Sequence, residues 1–230
     1  MKIALVIFTR NERKNSEKIF SRIPFQLFDG VYIIDGNSTD ETRKFWEDKK
    51  IKVFTQKYKG VGGAYESAFR NTKEDALIFF HPDGNMNPND LKEFIALLKK
   101  GYPFIVASRT IKGGTNEEDG QLFKYRKWSA QALGFFINLW WGSNGNHATD
   151  LTQGYRAIRR DVYKKMHIKI PNAVAPDIEQ IIRALKRNIY ITEFPTKEKK
   201  RMYGETTMPS FKTSVENIKV FLKEFLLLSN

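Results

Sequence analysis

The chain has 230 residues, enough to bury one sizeable core, and its 41% hydrophobic and 28% charged content excludes a disordered or fibrous protein. It has no cysteine, which excludes disulfides and thiolate sites and fits a cytoplasmic protein; no run of about 18 apolar residues reads as a membrane span, and no signal-peptide pattern precedes the first strand. A net charge of +13 points to an anionic partner, whether nucleic acid, anionic lipid or a phosphorylated substrate.

The first predicted element is a strand from Lys2 to Phe8, a near-continuous apolar run suited to a central parallel position. Thr9-Arg-Asn-Glu12 turns the chain into a charged helix. Val31–Ile34 is a second strand and ends in Asp35-Gly-Asn-Ser38-Thr-Asp-Glu41, where Ser38 and Glu41 have capping-box spacing and predict a helix through Trp46. Asp35 precedes that cap and is left for a ligand. Lys52–Phe54 is a short third strand. Lys59-Gly-Val-Gly62-Gly-Ala64 reads as a glycine-rich loop opening a helix, suited to close approach by a phosphate or sugar, and equally as a plain turn. It matches neither a Walker loop nor Gly-x-Gly-x-x-Gly.

Ala76–Phe80 is a buried strand bounded by turn formers. A helix follows over about Asn89–Lys99, then a strand at Phe104–Ala107 ending in Ser108-Arg109. The strand–helix alternation predicts an α/β fold with a mostly parallel sheet and helices on both faces. Residues 110–125 read as a mobile surface loop. From Trp128 to Trp140 an apolar stripe predicts a helix, either core-facing or an aromatic surface beside a lipid. Asp150–Ala157 is polar with strand character, Asp177–Arg187 a helix, Asn188–Pro195 a strand and Lys197–Gly204 a basic loop. Thr213–Leu228 is an amphipathic helix. No linker divides the chain, so 1–230 reads as one domain, with halves at 1–109 and 110–212 and a closing helix at 213–230.

The stretch after the Ala76–Phe80 strand carries His81, Asp83 and Asn85 at alternate positions. In an extended segment alternate side chains point the same way, so an imidazole, a carboxylate and an amide oxygen would converge on one divalent cation, Mg²⁺ or Mn²⁺. The competing reading is a polar turn in which Asp and Asn are turn formers and caps.

Several of these segments, in this order, resemble the family 2 inverting glycosyltransferases of the GT-A fold. The opening strand with Asn11-Glu12 is similar to that family's first turn, with Phe8 in place of its usual proline. Asp35-Gly-Asn-Ser38-Thr-Asp40-Glu-Thr42 resembles its second-strand motif, Gly60–Ala64 its glycine loop, His81-Pro-Asp83-Gly-Asn85-Met-Asn-Pro88 its Asp-x-Asp motif, and Ser108-Arg109 its Ser-Arg. Asp150-Leu-Thr152-Gln-Gly154-Tyr-Arg156-Ala157, Glu193-Phe-Pro195 and Arg201-Met-Tyr-Gly204-Glu-Thr206 look like a narrower branch, the polyprenyl-phosphate sugar transferases. Two departures stand out: His81 replaces the first Asp of the metal motif, and Thr207 replaces the Lys of the closing motif.

The resemblance implies a nucleotide-diphosphate sugar donor held by Thr9, Glu12, Asp35, Ser38, Gly62 and Asp83. It implies Mg²⁺ or Mn²⁺ at His81, Asp83 and Asn85. The acceptor would be a polyprenyl phosphate, positioned by Arg109, Arg126 and Arg201, because guanidinium clamps phosphate with paired hydrogen bonds. A glycan or other hydroxyl acceptor would need a base, Asp150 first by motif, with Asp177 and Glu179 behind it. The basic charge and the two apolar helical faces would suit peripheral contact with the inner membrane face, or be core or a dimer seam. No helix-turn-helix, RNP or zinc motif supports a nucleic-acid partner.

Overall fold

A computed structural model of the chain describes residues 1–116, 125–143, 145–168, 173–204 and 210–226, without the side chains of 125–127 and 210–212. The elements run β1 (Ile3–Thr9), α1 (Arg13–Phe20), β2 (Gly30–Asp35), α2 (Thr42–Asp48), β3 (Lys52–Thr55), α3 (Gly60–Asn71), β4 (Ala76–Phe80), α4 (Leu91–Lys99) and β5 (Phe104–Ser108). The second half adds α5 (Tyr125–Trp141), β6 (Arg156–Arg159), α6 (Arg160–Lys165), α7 (Pro176–Lys186), β7 (Ile191–Pro195) and α8 (Ser210–Leu226).

All seven strands form one sheet in the order β3-β2-β1-β4-β6-β5-β7. Only β6 runs against its neighbours; the pairs β1–β2, β1–β4, β2–β3 and β5–β7 are parallel. The β1 strand is buried along its whole length because alternate residues feed opposite faces. Ala4, Val6 and Phe8 join a core with α3, α5, α6, α7 and α8. Ile3, Leu5 and Ile7 join a second core with α1, α2 and α4. The predicted α/β architecture, mostly parallel with helices on both faces, is therefore the one observed.

Three local expectations are corrected, and one element is unexpected. Ser38 and Glu41 form no capping box: Glu41 sits at the α2 N-cap with φ 62° and no side-chain cap, while Ser38 Oγ donates to Asp35. The glycines at 60, 62 and 63 are not a loop before a helix but the first turn of α3 itself. They are needed there for space, since a Cβ at Gly63 would fall on the Tyr58 carbonyl and Gly60 has φ +79° against the Ala173 carbonyl. The strand expected over 150–157 begins only at Arg156, and Asp150–Gly154 is irregular. The short helix α6 has no counterpart among the predicted elements. Of the loop expected at 110–125, residues 117–124 lie outside the described residues, as do Glu205 to Thr207 of the closing motif.

Candidate active site

The order β2-β1-β4 means that the chain leaves β1 toward one side and returns on the other. A crevice therefore opens at the carboxyl ends of β1 and β4, the place where open α/β sheets bind ligands. A cavity of about 330 Å³ occupies this position. Phe8, Thr9, Arg10 and Glu12 line it from the end of β1, Ile34 and Gly36 from β2, and His81 and Asp83 from β4. Gly60, Val61 and Ala64 of α3 form another wall, and Ala173, Val174, Arg201 and Thr213 close it from the second half of the chain.

The walls are held by hydrogen bonds between turns. Asn11 N–H donates to Ser38 Oγ (2.9 Å), Thr39 N–H to Asn11 Oδ1 (2.8 Å) and Glu12 N–H to Thr42 Oγ1 (2.8 Å). Arg13 N–H donates to Asp40 (3.0 Å). Burial alone would raise the Asp40 carboxyl, but hydrogen bonds from Thr42 and the Arg13 backbone outweigh it and hold that carboxyl below the usual carboxylate range. Asp35 is buried behind Thr9 and Gly36. It accepts from Thr9 Oγ1 (3.2 Å), Ser38 N–H (3.0 Å) and Ser38 Oγ (2.5 Å). Asp35 and Ser38 thus brace the rim, while Thr9 and Glu12 reach the cavity. Gly62 is buried in the first turn of α3, between lining residues.

His81 and Asp83 both face the cavity, whereas Asn85 does not line it. The segment is a turn rather than an extended strand: Gly84 has φ +93°, and Asn85 N–H donates back to Asp83 Oδ1 (3.1 Å). The simple alternation that would aim three ligands together is therefore broken. Asn85 Oδ1 is instead buried, with no hydrogen-bond partner among the described residues. The His81 ring stands edge-on to Phe8, centroids 5.6 Å apart. Gly154 comes close beside it, where an added Cβ would lie 3.5 Å from His81 Nε2. Among the described residues no group of three or more His, Cys, Asp or Glu is placed to hold a metal ion. The imidazole of His81 and the carboxylate of Asp83, both lining the cavity, are of the chemistry that a borderline divalent cation accepts when its remaining ligands come from water and phosphate.

Arg201 joins the two carboxylates of the cavity. Its Nη1 donates to Asp83 Oδ2 (3.2 Å), its Nη2 to Glu12 and its Nε to the Tyr203 carbonyl (2.8 Å). The loop that carries it is strapped over the 83–85 turn by Met202 N–H to Asp83 O (2.9 Å) and Lys199 N–H to Asn85 O (3.1 Å). Asn15, absent from the sequence-based expectations, ties this loop to α1 by donating to Glu12 Oε2 (2.5 Å) and to Tyr203 O (3.0 Å).

Arg109 and Asp150 are brought together, but with each other and away from the cavity lining. Arg109 Nε and Nη2 donate to the two Asp150 oxygens (2.8 and 2.9 Å), Nη1 to Glu198 (2.9 Å) and Nη2 also to Thr152 (3.1 Å). Asp150 is 3% exposed and Arg109 8%. Burial would raise the Asp150 carboxyl, yet the Arg109 charge and hydrogen bonds outweigh it and hold it below the usual range. Burial would lower Arg109, and Asp150 reverses that. Neither Asp150 nor Arg109 lines the cavity, and the Arg109 guanidinium is bonded to Asp150, Glu198 and Thr152. Glu193 completes the brace by accepting from Thr149 and from Asp150 N–H (3.0 Å). The Arg126 backbone lies in α5, and its side chain is outside the described residues. Asp177 does not line the cavity either: Tyr65 donates its phenol to Asp177 (2.8 Å), and burial, then Asp177, pushes that phenol well above its ordinary value. Tyr65 in turn adjoins Gly154.

Known proteins are similar to this chain in fold and in sequence. Glucosyl-3-phosphoglycerate synthase from Mycobacterium tuberculosis, in a complex with Mn²⁺, UDP and glucosyl-3-phosphoglycerate, superposes with a TM-score of 0.74 at 16% identity, covering 97% of this chain and 79% of that one. The fold is thus the GT-A fold. In sequence, the chain is 31% identical over 128 residues to dolichol-phosphate mannosyltransferase from Pyrococcus furiosus, covering 51% of this chain and 36% of that protein. It is 24% identical to glycosyltransferase AglJ from Haloferax volcanii (89% and 65%) and 24% identical to undecaprenyl-phosphate mannosyltransferase from Micrococcus luteus (90% and 88%). The matches thus span about a third and just under two thirds of the first two relatives. The family model described as glycosyl transferase family 2 matches residues 5–166, a span that includes the β1, β2 and β4 ends forming the cavity. By that match the chain belongs to glycosyl transferase family 2.

Proposed function

We propose that the chain transfers a sugar from a nucleoside-diphosphate donor, bound in the 330 Å³ cavity, to a polyprenyl phosphate, with inversion at the anomeric carbon. The observation that carries this reading is the convergence of Thr9, Glu12, His81, Asp83 and Arg201 on one cavity at the switch point of the sheet. The names of the curated relatives support the acceptor class, and the Mn²⁺ and UDP of the structural neighbour support the donor class.

Thr9 and Glu12, with Gln56, which follows β3 and also lines the cavity, offer polar groups for the base and ribose, on a rim stiffened by Asp35 and Ser38. His81 and Asp83 would hold Mg²⁺ or Mn²⁺, which when bound offsets the charge building on the leaving diphosphate. Arg201 already sits on Asp83 and Glu12, so its guanidinium is within reach of the diphosphate and would exchange carboxylate for phosphate partners as the donor enters. An oxygen of the acceptor phosphate attacks the anomeric carbon. The bond from that carbon to the diphosphate oxygen breaks, and the nucleoside diphosphate leaves. A phosphate acceptor is already anionic, so no base is required. Arg109 and Asp150 act as the brace that holds β5 against the 150–154 segment.

The test is incubation with UDP-glucose, UDP-N-acetylglucosamine and GDP-mannose, with Mn²⁺ and either a polyprenyl phosphate or a saccharide, followed by product analysis. A glycosyl phosphopolyprenol of opposite anomeric configuration to the donor is expected. A product on the saccharide alone would contradict the acceptor class.

A further inference from the structure

Apart from the cavity, the feature that asks for a partner is the outer face of α5 and α8. From Trp128 to Trp141 α5 carries no charged residue. Its inner side, Ile137 and Trp141, is buried in the core. Its outer side is at least as apolar: Trp128, Phe135, Phe136, Leu139 and Trp140 are each 49–65% exposed. On α8, Ile218, Leu222 and Leu226 form an i, i+4, i+8 stripe that is 49–75% exposed, while Val220 and Glu224 point inward. Phe225 packs edge-on to Trp140 at 4.8 Å and joins the two stripes into one face. Eight of the twelve large hydrophobic residues exposed among the described residues lie on these two helices. A contiguous patch of this kind marks a binding surface rather than ordinary surface scatter.

Charge and position decide what covers it. Each copy carries a net charge of +13, so pairing two copies brings like charges together, whereas an anionic bilayer attracts them. Tryptophan and phenylalanine on an amphipathic helix favour the headgroup boundary. No helix among the described residues is long and apolar enough to cross a membrane, and an apolar stripe on one side of each helix suits lying in the headgroup plane. Thr213, near the start of α8, lines the donor cavity, so the helix leads from the cavity mouth directly into the apolar stripe.

We infer that the joint face of α5 and α8 seats on an anionic lipid bilayer and sets the cavity mouth at the membrane surface. This deepens the polyprenyl-phosphate reading and rests on it for its purpose, since such an acceptor keeps its phosphate at the headgroups and its chain in the bilayer.

The test is sedimentation of the full chain with vesicles of phosphatidylglycerol and phosphatidylcholine, or of phosphatidylcholine alone. A combined Phe135→Ser, Leu139→Ser, Leu222→Ser variant is compared with the wild type, its fold checked by thermal melting. The wild type should favour the anionic vesicles, and the variant should bind them about tenfold or more weakly. Transfer to polyprenyl phosphate embedded in vesicles should fall in parallel, while transfer to a short, water-soluble isoprenyl phosphate is unchanged. Undiminished vesicle binding by the folded variant would overturn the inference. So would a wild type that ignores vesicles and forms a dimer which the variant dissociates. Vesicle binding lost in the variant, with no transfer to any polyprenyl phosphate by either protein, would support the membrane face and overturn the acceptor reading instead.

Discussion

Two arginines on the same chain do opposite work. Arg109 is enclosed and satisfied by Asp150, Glu198 and Thr152, whereas Arg201 is partly exposed and bridges two carboxylates of a cavity. Asp150→Asn leaves the buried Arg109 with Glu198 as its one carboxylate partner and weakens two charge-assisted hydrogen bonds, so it should destabilise the fold by roughly 1–3 kcal/mol, read from denaturant melts at neutral pH. The folded-state Asp150 carboxyl lies below its unfolded value, so its contribution is complete above the unfolded value and is lost as pH falls through the folded one. The stability gap between wild type and variant should therefore close on acidification, and a gap independent of pH would contradict the assignment. Arg201→Ala should act differently, lowering transfer on the order of a hundredfold while leaving the melt nearly unchanged. It should also tighten Mn²⁺ binding in the absence of nucleotide, because Glu12 and Asp83 lose a competing cation; electron paramagnetic resonance titration reads this directly. The Arg109–Asp150 pair could not be read from sequence, since the partners are 41 residues apart and each type is equally common on surfaces.

At the scale of elements, continuous apolar runs bounded by turn formers were legible, and β1, β2, β3, β4 and β5 lie where such runs predict them. The strand β6 was not, because it begins and ends with arginine; Arg156 is fully buried only through bonds to Gln153 O, Gln180 and Asp177. Helix α6 is six residues long, too short to show a period. The Ser38–Glu41 spacing misled because the Ser38 hydroxyl is claimed by Asp35, just before it, and by the backbone of Asn11, distant in sequence. The α3 glycines give a prediction at this scale. Gly63→Ala forces a methyl into the Tyr58 carbonyl and should cost about 1–3 kcal/mol in melting experiments, as overpacking does. A neutral result would mean that the α3 turn is looser than its packing implies.

For the whole molecule, the sheet order places residues from β1, β2, β4 and the 197–204 loop around one crevice, although they span almost the entire chain. Ordered motifs made the GT-A architecture and the family legible from sequence. The convergence of His81, Asp83 and Asn85 expected from alternation is not observed, because Gly84 at φ +93° turns what alternation would extend. Replacement of a carboxylate by His81 gives a donor set with an imidazole, so Mn²⁺ should bind more tightly than Mg²⁺, in line with the general ordering of divalent ions at nitrogen-containing sites.

The most direct test of the donor site is calorimetric titration of the wild type and Asp83→Ala with UDP, GDP and CDP, with and without Mn²⁺. The account predicts that one nucleotide binds, that binding requires the metal, and that Asp83→Ala abolishes it while the protein stays folded. Failure of the folded wild type to bind any of the three in the presence of Mn²⁺, or undiminished binding by Asp83→Ala, would contradict it.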